Sequence, residues 1–249
     1  MKLKKLVAIT LSAVMCMAAL TGCGGKSDSA KKTAKVIEVD LTDEQYAFGV
    51  DKDQPDLLKE VNQFVKDMKS DGTFDEICNR YFGDGTPVPV KSAAYDESKD
   101  QLVVATNAAF EPFEYMDGEN YVGIDMEIAK ALADKLGKEL VIQNMDFDAV
   151  CLSVGQHKCD VAMAGLTIKP DREEYVAFSD PYYSASQKLI TLSTDTEFDA
   201  CKTADDVNKI LEAKGSDLKI GFQNGTTGQF YCEGDDDWGF PGLKMEAKA

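Results

Sequence analysis

One histidine stands in 249 residues, and there is no excess of basic charge. His157 lies beside Gly155 and Lys158 in a loop-like stretch. No nucleophile or metal-ligating group stands at a telling spacing from it, so it reads as a surface residue. The formal net charge is −17, and the first 22 residues hold three lysines and no acid, so the remainder is more acidic still. A nucleic-acid partner needs a basic footprint, and this chain has none. Cys-x-x-C pairs and zinc-type spacings are also missing. Of seven cysteines, Cys16 and Cys23 fall near the N-terminus, which leaves Cys78, Cys151, Cys159, Cys201 and Cys232. That odd number leaves at least one without an internal partner, and no disulfide can be assigned. Cys78 and Cys151 fall on apolar helix faces and read as small hydrophobes. No catalytic role, metal or cofactor is expected. No internal repeat is visible, and no apolar run beyond Leu20 is long enough to span a bilayer.

What is present begins with an export signal. Lys2, Lys4 and Lys5 precede the apolar run Leu6–Leu20, which is too short and wrongly flanked for a spanning helix. It ends in Leu20-Thr21-Gly22-Cys23, which resembles a bacterial lipobox. The resemblance implies cleavage before Cys23 and acylation (palmitate among the chains) of that residue, giving a lipid anchor. The alternative is an ordinary signal peptide with a cysteine nearby. Residues 1–22 are thus expected to be a lipoprotein signal peptide, and residues 23–35, rich in Gly, Ser and Lys, a flexible tether.

Apolar residues make up 44% of the chain, enough for a packed core. Tyr46, Phe48 and Val50 alternate at strand period. A helix follows, with Asp53 as its cap and Pro55 in its first turn. Leu57, Val61, Phe64, Val65 and Met68 form its apolar stripe. A second helix starts at Thr73, carries Phe74, Ile77, Cys78, Tyr81 and Phe82, and stops at Gly83. From Leu102 the order is strand (Leu102–Thr106), helix (123–136), strand (Leu140–Gln143), helix capped by Asp148, strand (Asp160–Ala164). Strands alternating with helices imply a mainly parallel sheet covered on both faces. Gln187–Leu192 is expected to cross into a second lobe, where Thr203 caps a helix and Lys219–Phe222 forms a strand.

The chemistry gathers around Arg172. The run Ala164-Gly165-Leu166-Thr167-Ile168-Lys169-Pro170-Asp171-Arg172 leads into Phe178-Ser179-Asp180-Pro181-Tyr182-Tyr183. The planar fork of Arg matches two carboxylate oxygens, Thr167 adds a hydroxyl, and Gly165 lets backbone approach closely. On spacing alone, a surface pair between Arg172 and Glu173 or Glu174 serves equally well.

The longer pattern decides between them. Thr106-Asn107-Ala108-Ala109-Phe110-Glu111-Pro112-Phe113-Glu114-Tyr115, Val122-Gly123-Ile124-Asp125-Met126-Glu127-Ile128-Ala129, Met145-Asp146-Phe147-Asp148, the Ala-Gly-Leu-Thr…Asp-Arg run and Ile220-Gly221-Phe222-Gln223-Asn224-Gly225-Thr226-Thr227-Gly228 stand in order over residues 100–230. Together they resemble the extracellular solute-binding proteins, family 3, of polar amino-acid ABC importers. The resemblance implies an α/β, periplasmic-binding-protein-like type II fold: two lobes with mainly parallel sheets, here with the second lobe incomplete. Residues 91–192 are expected to form the main part of lobe 1 with the crossover strand, and 193–249 a partial lobe 2. Residues 36–90 look like the family's C-terminal end placed N-terminally, either completing lobe 1 or standing as an extra copy. By the same resemblance, the rest of lobe 2 and an acid that binds the ligand's amino group are absent.

The implied site holds an amino acid between the lobes. Arg172 and Thr167, with Gly165, take its carboxylate from one side, and the Thr226–Thr227 backbone takes it from the other. Phe110 walls the side chain, and Asn107 and Glu111 read its polar end. Phe113 reads as core, Asp125 and Glu127 as cap or solvation of a helix start. Tyr182 and Tyr183 either line the cleft or pack beneath it. The implied protein is a monomer, not an enzyme, lipid-anchored outside the cytoplasm, with an ABC permease as partner. Two alternatives stand beside it. One is a dehydratase-like enzyme acting on a cyclic dienol acid, with Glu111 as the nominated acid; the other is a truncated remnant that binds nothing.

Overall fold

In a computed structural model of the protein, residues 33–215 and 219–243 are described. The expected signal sequence and Cys23 lie outside them. Among the described residues there are twelve short strands: β1 Ala34–Val36, β2 Glu44–Tyr46, β3 Gly49–Asp51, β4 Gln101–Thr106, β5 Ala109–Phe110, β6 Glu114–Asp117, β7 Asn120–Val122, β8 Glu139–Asn144, β9 Val161–Ala162, β10 Val176–Phe178, β11 Tyr183–Ala185 and β12 Ile190–Leu192. Six α-helices accompany them: α1 Pro55–Asp71, α2 Thr73–Phe82, α3 Ile124–Leu136, α4 Phe147–Gly155, α5 Ala204–Lys214 and α6 Thr227–Glu233.

The main sheet has the order β10-β3-β9-β4-β8. β4 runs parallel to β8 and β9, and β3 runs antiparallel to both its neighbours. Four strands therefore share one direction, and a single reversed strand from the N-terminal segment is inserted among them. The core explains the insertion. Tyr46, Phe48, Val50, Val61, Val65 and Met68 pack in one apolar cluster with Leu102, Val104, Ile124, Ile128 and Leu132. Phe48 stacks on Tyr182 with ring centroids 4.3 Å apart. The opposite face of the sheet is covered by α4, through Val103, Ala105, Val141, Val150 and Val154. A third and smaller cluster (Ile37, Val39, Phe198, Val207 and Leu211) forms the heart of the second lobe. Among the described residues, that lobe's sheet is the β1–β12 pair alone.

Local signals account for most helix ends. Pro55 occupies the first turn of α1, and Gly72 ends it at φ 89°, a left-handed conformation that glycine adopts without steric cost. Thr203 caps α5 in a reciprocal box with Asp206. Three sequence expectations are corrected. The N-cap of α1 is Gln54, because the Asp51 side chain accepts from the Asp53 backbone N–H and uses that residue in a turn. The N-cap of α4 is Asp146, which puts Asp148 inside the first turn. Lys219–Phe222 forms no regular strand among the described residues; only Gly221 makes a bridge. No described helix is long and apolar enough to cross a membrane.

Candidate ligand-binding cleft

A cavity of ≈ 700 Å³ opens where the lobes meet, lined by Glu44, Tyr46, Asn107, Phe110, Phe147, Gly165, Thr167, Arg172, Gln187, Thr226, Thr227 and Gly228 among others. Most of these lie at element ends: after β4, after β9, at the start of β2 and at the start of α6. Ligands of parallel α/β sheets collect at such ends, where loops are free to carry polar groups.

Arg172 opens a single 3₁₀ turn, whose start is held by Asp171: the Asp171 carboxylate accepts from the Arg172 backbone N–H at 2.7 Å. Arg172 is 8% exposed. Its Nη1 donates to the Thr167 carbonyl at 2.8 Å, its Nη2 to the Gly225 carbonyl at 2.9 Å, and the Phe147 ring centroid lies 5.2 Å from its Cζ. The surface pairing with Glu173 or Glu174 does not form. Both Arg172 bonds go to neutral carbonyls, which leaves N–H donors of the fork for an anion.

Gly165 sits at φ 52°, and a Cβ there would lie 2.9 Å from the Phe110 ring, so the ring packs where a side chain would stand. Its N–H donates to Asp125 Oδ2 at 2.9 Å, and Tyr182 Oη donates to Asp125 Oδ1 at 2.6 Å. Asp125 is thus a fully buried brace under the Gly165–Thr167 strip, not a solvated helix start. Burial pushes its carboxyl up to about 6. Glu114 beside it is buried with no hydrogen-bond partner, and burial first, then the charge of Asp125, push its carboxyl well above the ordinary range. Glu127 is likewise buried, held by Arg80 at 2.8 Å and the Tyr81 hydroxyl at 2.7 Å.

Asn107 spans the cleft. Its Nδ2 donates to the Met145 carbonyl at 2.7 Å, and its Oδ1 accepts from Gln223 Nε2 at 2.9 Å. Phe110 is 40% exposed and lies on the cavity wall, whereas Phe113 is buried beneath it with ring centroids 5.5 Å apart. Tyr182 packs under the cleft, fully buried against Phe48. Glu111 is exposed and does not line the cavity. Thr226 and Thr227 both line the cavity; the Thr226 hydroxyl donates to the Gln223 carbonyl at 2.7 Å.

Sequence reasoning missed two residues. Glu44 and Gln187 meet the ends of Thr167 and Thr227: Glu44 Oε2 accepts from the Thr167 hydroxyl at 2.7 Å and the Thr227 hydroxyl at 2.9 Å, and Gln187 Nε2 donates to Glu44 Oε1 at 3.0 Å. The only signal for Glu44 was its place at the start of an alternating run. His157 is exposed, yet its Nδ1 lies 2.9 Å from Asp51 Oδ2, with Asp53 nearby. That proximity comes from the inserted strand and has no trace in sequence spacing. The five described cysteines are free; burial pushes Cys151 up to about 11, which suits a packing role.

The arrangement is a cleft between α/β lobes with a buried arginine on its wall. The sequence model of the bacterial extracellular solute-binding proteins, family 3, matches residues 8–84 and 102–229, and the chain belongs to that family. Among its relatives, the arginine-binding extracellular protein ArtP of Bacillus subtilis is 40% identical over 96 residues, 39% of this chain and 38% of that protein. The cyclohexadienyl dehydratase of Pseudomonas aeruginosa is 31% identical over 127 residues, 49% of this chain and 47% of that protein. Among solved structures, the P235GK mutant of ArgBP from T. maritima is 34% identical, with a TM-score of 0.48 and coverage of 61% of this chain and 60% of that one. The chain spans less than half the length of these two curated relatives.

Proposed function

We propose that this protein captures a polar amino acid outside the cytoplasm, held at the membrane by lipid on Cys23, and passes it to the permease of an ABC importer. The observation that carries the reading is Arg172: a buried guanidinium on the wall of a ≈ 700 Å³ cavity, bonded only to neutral carbonyls. A carboxylate is the natural complement of such a group, and bidentate pairing supplies geometric as well as electrostatic selectivity. Thr167, Gly165, Thr226 and Thr227 complete the carboxylate end, and Phe110 and Asn107 face the side chain. Within residues 36–90, the part from β2 onward is read as the piece that completes lobe 1, because β3 and α1 share its sheet and core, whereas Ile37 and Val39 pack in the second lobe. Arginine is the first ligand to test, since relatives are named for it.

The test is thermal unfolding against each standard amino acid at millimolar concentration. A ligand at about 100 times its Kd adds roughly 2.7 kcal/mol of stability. A raised midpoint with one or a few polar amino acids, abolished in Arg172→Ala, supports capture; a cooperative transition that none of them moves refutes it. Cleavage and acylation are tested by mass spectrometry of the membrane fraction, and Cys23→Ser is expected to release the protein. The dehydratase reading keeps one supporting fact, the Pseudomonas relative. It needs an acid reaching the cavity; Glu44 does, whereas Glu111, Glu114 and Asp125 do not line it. Turnover of a cyclic dienol acid is the observation that would favour it.

A further inference from the structure

Two buried charged side chains line the cleft with no ionic partner among the described residues. Arg172 is one. Glu44 is the other: it is 2% exposed, lines the cavity, and comes from the N-terminal segment through β2. Its Oε1 accepts from the Thr42 hydroxyl at 2.6 Å and the Gln187 amide at 3.0 Å, and its Oε2 accepts from the Thr167 and Thr227 hydroxyls at 2.7 and 2.9 Å. All four donors are neutral. Of the other buried acids, Glu127 faces Arg80 and Asp51 faces His157, while Asp125 and Glu114, which also lack an ionic partner, do not line the cavity.

Glu44 and Arg172 are joined through one residue. The Thr167 hydroxyl donates to Glu44, and the Thr167 carbonyl accepts from Arg172. One cavity therefore presents an acid and a base of opposite sign, each satisfied only by neutral groups, on either side of a threonine. Leaving either charge buried and unpaired costs free energy, which a zwitterion carrying both signs would recover. We propose that Glu44 receives the α-ammonium of the amino acid whose carboxylate Arg172 receives, which makes it the residue that selects amino acids over other carboxylates.

The hydrogen bonds allow the exchange. A carboxylate has about four acceptor positions, and all four on Glu44 are filled. An ammonium brings three donors. It displaces the hydroxyls of Thr167 and Thr227, whose oxygens stand 3.5 Å apart. Those hydroxyls then turn to the ligand's carboxylate, so that no donor is stranded. The inference rests on the amino-acid capture proposed above.

The test compares L-arginine, L-histidine and L-glutamine with their counterparts lacking the α-amino group, by calorimetry on the full chain and on Glu44→Gln. Gln keeps the size and an acceptor for the threonines. In the unsubstituted protein, the bound amino acid is expected to outbind its deaminated counterpart roughly 30-fold or more, the scale for removing one member of a desolvated charge pair. Glu44→Gln is expected to remove that preference and leave the deaminated acid unchanged. Equal affinity of the two compounds for the unsubstituted protein overturns the proposal and leaves capture standing. A Glu44→Gln protein that weakens both compounds alike also overturns it, since Glu44 would then only brace the threonines. If none of the three amino acids binds the unsubstituted protein, capture itself fails and takes the proposal with it. Should Glu44→Gln not fold, the comparison on the unsubstituted protein alone decides.

Discussion

Lys169 is the side chain whose replacement should say most about how the lobes are held. It is 2% exposed, and its Nζ lies 2.8 Å from Asp235 Oδ2, 2.9 Å from Asp171 Oδ2, and 4.0 Å from the centroid of the Phe230 ring. Lys169 and Asp171 belong to lobe 1; Asp235 and Phe230 belong to the α6 region of lobe 2. At an effective dielectric of about 20, a pair at this distance attracts by roughly 6 kcal/mol, most of which offsets the desolvation of both ions. The net worth is therefore small, but the worth of each partner is unequal. Asp235→Ala strands a buried ammonium beside Asp171, whose side chain is 45% exposed. Breaking a buried pair costs about 3–5 kcal/mol, and the remaining acid reduces this to about 2–3. Lys169→Met removes the ammonium, keeps the stem on the Phe230 ring, and leaves Asp171 near water and the mostly buried Asp235 with its bond from the Trp238 N–H, at a cost of about 1–2 kcal/mol. Asp235→Ala should then lower the melting midpoint by about 4–12 °C, and adding Lys169→Met should restore part of the loss. Hydrogen exchange should show α6 opening in Asp235→Ala, with β4 and β8 unchanged. Equal costs for the two single variants, or unchanged protection of α6, would refute this account of the contact.

Burial tends to raise the Asp235 carboxyl, but the hydrogen bond and charge of Lys169 and the Trp238 backbone N–H bring it below the ordinary value. Its contribution is therefore present above the unfolded pKa of about 3.9 and is lost as pH falls through the folded one. Asp125 has the opposite sign: its carboxyl lies at about 6, so the folded state holds a proton that the unfolded chain releases. Stability should fall as pH rises from about 4 to about 6, and Asp125→Asn should flatten that slope in denaturant titrations across the range. His157 is raised by its hydrogen bond to Asp51, so its contribution is complete below about 6.5 and lost as pH rises through the folded value; an NMR titration should place its midpoint above that of free histidine, and Asp51→Asn should bring it down. Gly123 sits at φ 136°, and a Cβ there would lie 2.0 Å from the Phe113 carbonyl oxygen, so Gly123→Ala should cost about 3 kcal/mol or more in urea unfolding and disturb the Phe110 wall.

The sequence signals that survive folding are those fixed by local geometry. The stripe Val61, Phe64, Val65 and Met68 is buried as its period requires, and the Thr203 cap needs only its neighbours. Gly165, Thr167 and Arg172 also fall together in the cleft, because a strand end, a tight turn and a fork-shaped cation all lie within a few residues. Failures begin where the partner is far along the chain. Glu44 meets Thr227 across 183 residues, which no periodicity reports. Asp125 sits at a helix start, where an acid ordinarily favours the dipole, yet its place is decided by the Gly165 N–H and the Tyr182 hydroxyl. Glu111, expected to read the ligand's polar end, is exposed and does not line the cavity. Asp53 falls in a turn held by the Asp51 carboxylate and Asp148 inside the first turn of α4, and neither helix start carries a side-chain cap bond.

The reversed strand β3 also sets the order in which the molecule becomes complete. A ribosome releases it early, while β10, its partner on one side, follows only after more than 120 further residues; the bond from the Phe48 N–H to the Ser179 hydroxyl spans 131. Until then Phe48 and Val50, both fully buried at the end, have no finished surface to rest on. Such long separations slow folding, because loop closure must come before the contacts that reward it. For the export proposed above, this delay would be an asset: a lobe that cannot close before its second half is made would stay unfolded long enough to be threaded across a membrane.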